Sequence, residues 1–260
     1  MSLTETYLEF CAAEGVPRNT VARRRSVLAS VGDPGTATRE QVEAWWATRR
    51  DKSAATRSND LACLRSFYRW AQRWEHRPDN PTIRLDAPRV DKGLPRPLGR
   101  AEVLHLLEVL PADLHRAVAL GAYAGLRVSE VAALSWLDVD RDTRRARIMH
   151  SKGGKSRIVA LSGVLLDHIL PDTGGNVVTG TKAIMTAAQL QRRINRAMHA
   201  EGIAGTFHTL RHRYGTLAYQ ETHDLVAVGR QMGHSSPVTT AIYAAASDDM
   251  ADRIAEAVAR

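Results

Sequence analysis

The 260 residues of this chain are 44% hydrophobic and carry a formal net charge of +8 at pH 7. That length and apolar content suffice for two folded domains and exclude a disordered or fibrous chain. The positive charge indicates a polyanionic partner such as nucleic acid, because each phosphate that a basic side chain neutralises releases counterions.

Residues 1–76 are predicted to form a domain of four helices, because turn residues interrupt the helical pattern at 15–17, 32–35 and 51–53. The fourth helix carries an apolar stripe at Leu61, Leu64, Phe67, Tyr68 and Ala71. Arginines recur at helical spacing on its other faces, at Arg57, Arg65, Arg69 and Arg73. These arginines are candidate DNA contacts, and a solvated charged face is the alternative.

The N-terminal sequence MSLTETYLEF lacks the basic and apolar regions of a signal peptide. No apolar run in the chain approaches the roughly 18 residues of a membrane span. Cys11 and Cys63 are too few for a disulfide scaffold and lack metal-binding spacing, so both are expected to be reduced. We therefore expect a cytoplasmic protein with no membrane partner.

Residues 77–97 are rich in proline and charge, which predicts an interdomain linker. A second domain at 98–260 begins with two predicted helices, of which the second stops at Gly125. Alternating side chains within 138–161 predict two strands joined by a hairpin at 151–155, and helices resume after them. The expected fold class is mainly α with a small β-sheet or hairpin, in which a helical domain precedes an α+β domain.

The segment AGLRVSEVAALSWLDVD places Arg127 two residues after Gly125, which is predicted to end a helix, and just before the start of the next helix. An arginine there is unfavourable for the helix dipole, so an anion or a carboxylate such as Glu130 is expected to compensate it. A surface arginine that pairs only with Glu130 is the alternative.

The segment HTLRHRYGTLA places His208 and Arg211 three residues apart, which on a helix brings an imidazole and a guanidinium to one side. We expect His212 to point elsewhere. A zinc pair formed by His208 and His212 is the alternative, but no third ligand is evident, and no metal is expected.

The segment QMGHSSPVTTAIYAAA predicts a turn at Gly233 and His234, followed by a short helix. Ser235 or Ser236 is the expected N-cap of this helix. Tyr243 lies near its end, where a tyrosine is ordinarily an amphipathic core residue.

Together the segments AGLRVSE, SKGGK, HTLRH and MGHSSPVTTAIY resemble, in this order, the conserved boxes of the tyrosine recombinases, also called phage integrases, which include the Xer recombinases. The resemblance covers about residues 98–246, and the helical region before it is similar to the core-binding domain of that family. The short N-terminal region implies that the arm-binding domain of the larger integrases is absent.

The resemblance implies a catalytic set of six residues, at Arg127, Lys152, His208, Arg211, His234 and Tyr243. The two arginines would stabilise charge on the phosphate oxygens. Tyr243 would attack the scissile phosphate, form a 3′-phosphotyrosyl intermediate and free a 5′-hydroxyl. Neither ATP, a metal nor another cofactor is needed.

The remaining roles concern protons and positioning. The pKa of a free phenol is near 10, so His208 is the implied acceptor of the Tyr243 proton. His234 would hydrogen-bond the phosphate, and Lys152 would protonate the leaving oxygen, with Lys155 as its rival. Contacts of both lysines with backbone phosphates are the alternative. Glu130 would support the site by orienting Arg127 or His208.

The expected function is site-specific integration or excision of a phage or mobile element at double-stranded DNA attachment sites. Within the family, monomers assemble as a homo-tetramer on DNA, for which the C-terminal segment at about 244–260 is expected to dock on a neighbour. A directionality factor is a possible accessory partner. Alternatives are a Xer-like chromosome-dimer or plasmid resolvase, a catalytically silent DNA-binding regulator, and a type IB topoisomerase.

Overall fold

The structure is a computed structural model. It describes residues 1–90, 96–149, 156–170, 174–179, 184–234, 240 and 243. The chain separates into two compact units, Met1–Lys92 and Gly93–Arg260. Within the described ranges, none of the helices has the length and apolar character that crossing a lipid bilayer requires.

The first unit contains four helices, as the sequence predicted. They are α1 (Leu3–Ala13), α2 (Arg18–Val31), α3 (Arg39–Ala47) and α4 (Ala54–Arg73). Side chains of Ser2, Thr38 and Ser53 cap three of the helix starts, and each accepts a hydrogen bond from a backbone N–H of the first turn. The predicted breaks between the helices are therefore confirmed.

Aromatic side chains dominate the core of the first unit. The ring of Phe67 contacts Tyr7 edge-on at a centroid distance of 5.4 Å and Tyr68 at 5.2 Å. Both tyrosines and Phe67 are at most 1% exposed, and the predicted apolar stripe of α4 is buried throughout. Large rings contribute most of the buried apolar area in a domain of this size.

The division between the units falls inside the segment 77–97, which the sequence predicted to be a linker. Its first part packs on the first unit, because the Arg77 guanidinium donates to the backbone carbonyls of Pro34 and Ala37. Leu85 is also buried in the core of that unit. The first part of the segment, although it contains prolines, thus stays packed on the domain that precedes it.

The second unit combines helices with a small sheet. Its helices are α5 (Arg100–Val109), α6 (Ala112–Ala124), α7 (Val128–Ala133), α8 (Gly163–Ile169), α9 (Ala187–Ala200), α10 (Phe207–Thr222) and α11 (Leu225–Met232), with a 3-10 turn at Trp136–Asp138. The strands β1 (Val139–Asp140), β2 (Arg145–Met149) and β3 (Ser156–Ala160) form an antiparallel sheet in the order β1-β2-β3. The fold is thus mainly α with a small sheet, as predicted.

Helix α6 lies at the centre of the second unit and has buried residues on most of its surface. Its Gly121 packs against α10 so closely that a Cβ atom there would lie 2.9 Å from Phe207 Cζ. This close contact places the N-terminal part of α10 beside the C-terminal part of α6. The candidate catalytic residues of α10 therefore lie near those that follow α6.

Candidate active site

The junction between α6 and α7 positions Arg127. Gly125 ends α6 in the left-handed conformation, with φ of 63°, and a Cβ atom there would collide with the Tyr214 ring. Arg127 is the N-cap residue of α7, and its backbone N–H donates to Glu130 Oε2 at 2.8 Å. Its Nη1 also donates to Glu130 Oε1 at 2.9 Å. Glu130 is thus the carboxylate that was expected to compensate the charge of Arg127 at the start of α7.

Arg211 of α10 is almost completely enclosed, with 1% of its surface exposed. Its Nη1 donates to the carbonyl of Gly125, and its Nη2 donates to the carbonyl of Met232 at 2.8 Å. Burial, with a contribution from the neighbouring Arg127, lowers the pKa of Arg211 to about 10. The guanidinium remains charged at pH 7 and is held rigidly by two helix C-termini.

The C-terminal end of α11 collects guanidinium groups from three elements. Arg127 Nη2 donates to the Gly233 carbonyl at 2.7 Å, and its Nη1 lies 3.5 Å from the Met232 carbonyl that Arg211 also binds. Arg157 Nε of β3 donates to the Gln231 carbonyl at 2.9 Å. Carbonyls at a helix C-terminus lack partners within the helix and carry partial negative charge, so they stabilise this cluster of cations.

Arg157 is the residue of this cluster that sequence reasoning missed. Its Nη1 and Nη2 donate to Glu130 Oε1 and Oε2 at 2.8 and 2.9 Å. Burial raises the pKa of Glu130, but the hydrogen bonds from Arg157 and Arg127 outweigh burial and lower it to about 2. A weak signal was available in the sequence, because Arg157 shares one face of the predicted strand with Val159 and Leu161, both of which are buried.

Two histidines of α10 lie beside Arg211. The rings of His208 and His212 are in edge contact at a centroid distance of 4.3 Å, and the His212 ring is 5.9 Å from that of Tyr243. The expectation that His212 points elsewhere is therefore wrong, because residues four apart on a helix share a face. Burial lowers the pKa of His212 to about 4, and desolvation together with Arg211 lowers that of His208.

Tyr243 is buried against the same face of α10. Its ring lies on Gly215, where a Cβ atom would be 2.4 Å from Tyr243 Cζ. The His234 ring stacks on Tyr243 at a centroid distance of 6.0 Å, and His234 Nδ1 is 2.8 Å from Thr240 Oγ1. Burial raises the pKa of Tyr243, and the charges of Arg211 and Arg127 oppose that rise. The phenol is therefore protonated at pH 7.

Five of the six predicted catalytic residues are thus brought together, whereas Lys152 and its rival Lys155 lie outside the described residues. The same holds for the predicted N-cap serines, Ser235 and Ser236. The C-terminal segment 244–260 is also outside the described part of the chain. Among the residues that are described, no group of three or more His, Cys, Asp or Glu side chains is placed to hold a metal ion.

The arginines of α4 differ in their surroundings. The Arg57 guanidinium lies over the Trp46 ring, 4.8 Å from its centroid, and Arg65 Nη2 donates to the carbonyl of Leu85. Arg69 and Arg73 are exposed and line a groove with aromatic side chains, among them Trp70 and Trp74.

Comparisons with known proteins identify the family of this chain. Residues 100–250 match the model of the phage integrase family. The chain belongs to this family. The tyrosine recombinase XerC of Herpetosiphon aurantiacus is 30% identical in an alignment that covers 98% of this chain and 94% of that protein.

Other relatives match over less of their length. The tyrosine recombinase XerC of Xanthomonas campestris pv. campestris (strain B100) is 28% identical in an alignment that covers 75% of this chain and 65% of the length of that protein.

Solved structures of the family share the fold of this chain. A lambda integrase dimer bound to a COC′ core site has a TM-score of 0.77 at 19% identity, covering 93% of this chain and 75% of that one. The integrase from mycobacterium phage Brujita has a TM-score of 0.51 at 27% identity, covering 92% of this chain and 86% of that one.

Proposed function

We propose that this phage integrase family member is a site-specific DNA recombinase that cleaves and rejoins duplex DNA through a 3′-phosphotyrosyl intermediate. The observation that carries the proposal is the approach of Arg127 and Arg211 to a single carbonyl oxygen, that of Met232, a residue buried in the same cluster as Tyr243. Two guanidiniums that share one acceptor are spaced to share the oxygens of one phosphate.

In the proposed reaction, Tyr243 Oη attacks the scissile phosphorus and forms a new P–O bond. The bond from phosphorus to the 5′-oxygen breaks, and negative charge builds up on the nonbridging oxygens in the transition state. Arg127 and Arg211 stabilise that charge, and their hydrogen bonds to protein carbonyls hold both guanidiniums in position before the reaction. Rejoining is the reverse attack by a 5′-hydroxyl, so the reaction consumes no ATP.

Two protons move during cleavage. The Tyr243 proton passes to a neutral imidazole, for which His208 is the proposed acceptor, and His234 is proposed to hydrogen-bond the phosphate. The lowered pKa values of both histidines support these roles, because each ring is neutral at pH 7. The leaving 5′-oxygen takes its proton from Lys152, with Lys155 as the rival donor. Glu130 is proposed to orient Arg127.

The proposed substrate is a pair of double-stranded DNA recombination sites in a bacterial cytoplasm, on which the protein assembles as a homo-tetramer. The net charge of +8 and the DNA-bound dimer of lambda integrase support a DNA partner. Residues 1–76 are the proposed core-type DNA-binding domain and the C-terminal segment the proposed contact between protomers. An accessory directionality factor remains part of this proposal.

Integration and excision of a phage or mobile element is the first candidate role, and the likeness to the Brujita integrase supports it. Resolution of chromosome or plasmid dimers is the second, supported by the XerC relatives. Plasmids that carry either phage-type attachment sites or dimer-resolution sites distinguish the two roles, because only the matching pair is recombined.

The reaction itself is tested with nicked suicide duplexes that carry candidate sites. A denaturing gel then detects a covalent protein–DNA adduct. We expect an adduct with the unaltered protein and none with Tyr243→Phe, because the phenol oxygen forms the bond to phosphorus.

Tyr219→Phe is the matched control, since Tyr219 is buried in the same small cluster as Tyr243. It is expected to form the adduct at the rate of the unaltered protein. Site-dependent DNA binding without any adduct contradicts the proposal and favours a catalytically silent DNA-binding regulator.

A further inference from the structure

Arg157 connects three elements of the second unit through one side chain. It lies in β3, it donates to the Glu130 carboxylate of α7, and it donates to the Gln231 carbonyl at the end of α11. Its side chain is only 10% exposed. A planar guanidinium is the only side chain that offers donors in these fixed directions at once.

Each oxygen of the Glu130 carboxylate accepts a hydrogen bond from Arg127 and another from Arg157. Oε1 accepts one bond from Arg127 Nη1 and one from Arg157 Nη1. Oε2 accepts one bond from the Arg127 backbone N–H and one from Arg157 Nη2. A carboxylate has about four acceptor positions. Because Arg127 and Arg157 each donate to both oxygens, the Glu130 carboxylate cannot rotate without losing hydrogen bonds to both arginines.

The two arginines that share Glu130 differ in exposure. The Arg127 side chain is 37% exposed, so part of its guanidinium remains open to a ligand. All three guanidinium nitrogens of Arg157 donate to protein oxygens, and its side chain is nearly buried. Arg157 is therefore placed to act on a bound phosphate indirectly, through the Glu130 carboxylate that it shares with Arg127.

We propose that Arg157 is a positioning residue for the reaction, which holds the Glu130 carboxylate in the orientation that fixes Arg127 against the scissile phosphate. This inference rests on the proposed recombinase function. Loss of Arg157 removes two of the hydrogen bonds that orient the buried carboxylate, so that Glu130 no longer holds Arg127 in a single orientation. A displacement of about 1 Å in a phosphate-binding group is enough to slow catalysis about a hundredfold.

The first test compares Arg157→Met with Arg147→Met in the suicide-substrate assay at saturating protein. Arg147 is the matched control because it lies on the neighbouring strand, opposite Ile158, and its side chain is 60% exposed. We expect Arg157→Met to form the covalent adduct about a hundredfold more slowly, with DNA affinity equal to that of the control. Arg157→Lys, which keeps the charge without the two-pronged geometry, is expected to fall between them.

The second test asks whether the effect passes through Glu130. We expect the double variant Arg157→Met with Glu130→Gln to be no slower than the slower of its single variants, because the two residues act as one unit. In Arg157→Met, Glu130 stays buried but loses the hydrogen bonds from Arg157, so its pKa is higher than in the unaltered protein. As the pH is lowered, adduct formation therefore declines at a higher pH than in the unaltered protein. Glu130→Gln removes this difference.

An unaltered rate in Arg157→Met overturns the inference, and so do additive effects in the double variant. If even the unaltered protein forms no adduct, the proposed function fails instead. The positioning claim is then decided by nuclear magnetic resonance of the Glu130 carboxyl carbon. We expect its titration to move to higher pH in Arg157→Met, and an unmoved titration overturns the claim. Arg157→Lys serves for this measurement if Arg157→Met does not fold.

Discussion

Arginine has different tasks in the two units of this protein. In the second unit, Arg127, Arg157 and Arg211 converge on one helix end and share carbonyl and carboxylate acceptors. In the first unit, the arginines of α4 are spread along the helix, where Arg57 stacks on a tryptophan and Arg73 is exposed. The comparison shows that the surroundings of an arginine, and not its spacing in the sequence, decide between a reactive site, a packing role and a surface charge.

The physical basis of the difference is the number of acceptors within reach. A cluster of cations is stable in the interior only where helix ends and a carboxylate supply negative charge, as at the end of α11. Arg57 of α4 instead lies on the aromatic face of Trp46 in α3, which attracts a guanidinium through the ring electrons. Each of the following changes tests one side of this contrast.

The largest effect is expected for Arg211→Met. The change removes a charge that is proposed to stabilise the phosphate, and it leaves the carbonyls of Gly125 and Met232 without this donor. We expect adduct formation to fall about a thousandfold. The free energy of unfolding should also fall by about 1–3 kcal/mol, as measured in urea. Arg213→Met, on the same helix, is the control, and equal effects of both variants contradict the special role of Arg211.

A smaller effect is expected for Arg57→Ala in the first unit. Loss of the contact with Trp46 should lower the free energy of unfolding by about 0.5–1 kcal/mol and leave adduct formation unchanged. Tryptophan fluorescence follows this unit, which holds Trp45, Trp46, Trp70 and Trp74. Unchanged stability with weaker DNA binding contradicts the packing role and assigns Arg57 to DNA.

The smallest effect is expected for Arg73→Ala. Its side chain is exposed, so the free energy of unfolding should change by less than about 0.5 kcal/mol. If Arg73 neutralises one phosphate, the slope of log affinity against log salt concentration becomes shallower by about 0.9. Fluorescence anisotropy with labelled duplex measures that slope, with Arg50→Ala as the exposed control. An unchanged slope indicates a solvated charged face.

Much of the fold followed from local sequence patterns. The helices of the first unit and the strand pair at β2 and β3 are set by turn residues, caps and alternation, which act over a few positions. The packing of residues 77–85 on the first unit was not predictable, because the Arg77 contacts reach carbonyls about forty positions away. The position of His212 on the same face of α10 as His208 was already implied by their spacing of four residues, whereas its contact with the Tyr243 ring depends on tertiary packing.

The sequence by itself determined the order and types of the proposed catalytic residues, and through them the family, since four short motifs in a fixed order are specific without any three-dimensional information. Tertiary structure alone decided which residues share acceptors. Arg157 reaches Glu130 across 27 positions, and Arg127 reaches Gly233 across 106. Such contacts depend on how α7, β3 and α11 pack, and packing is a property of the whole unit that no local pattern encodes.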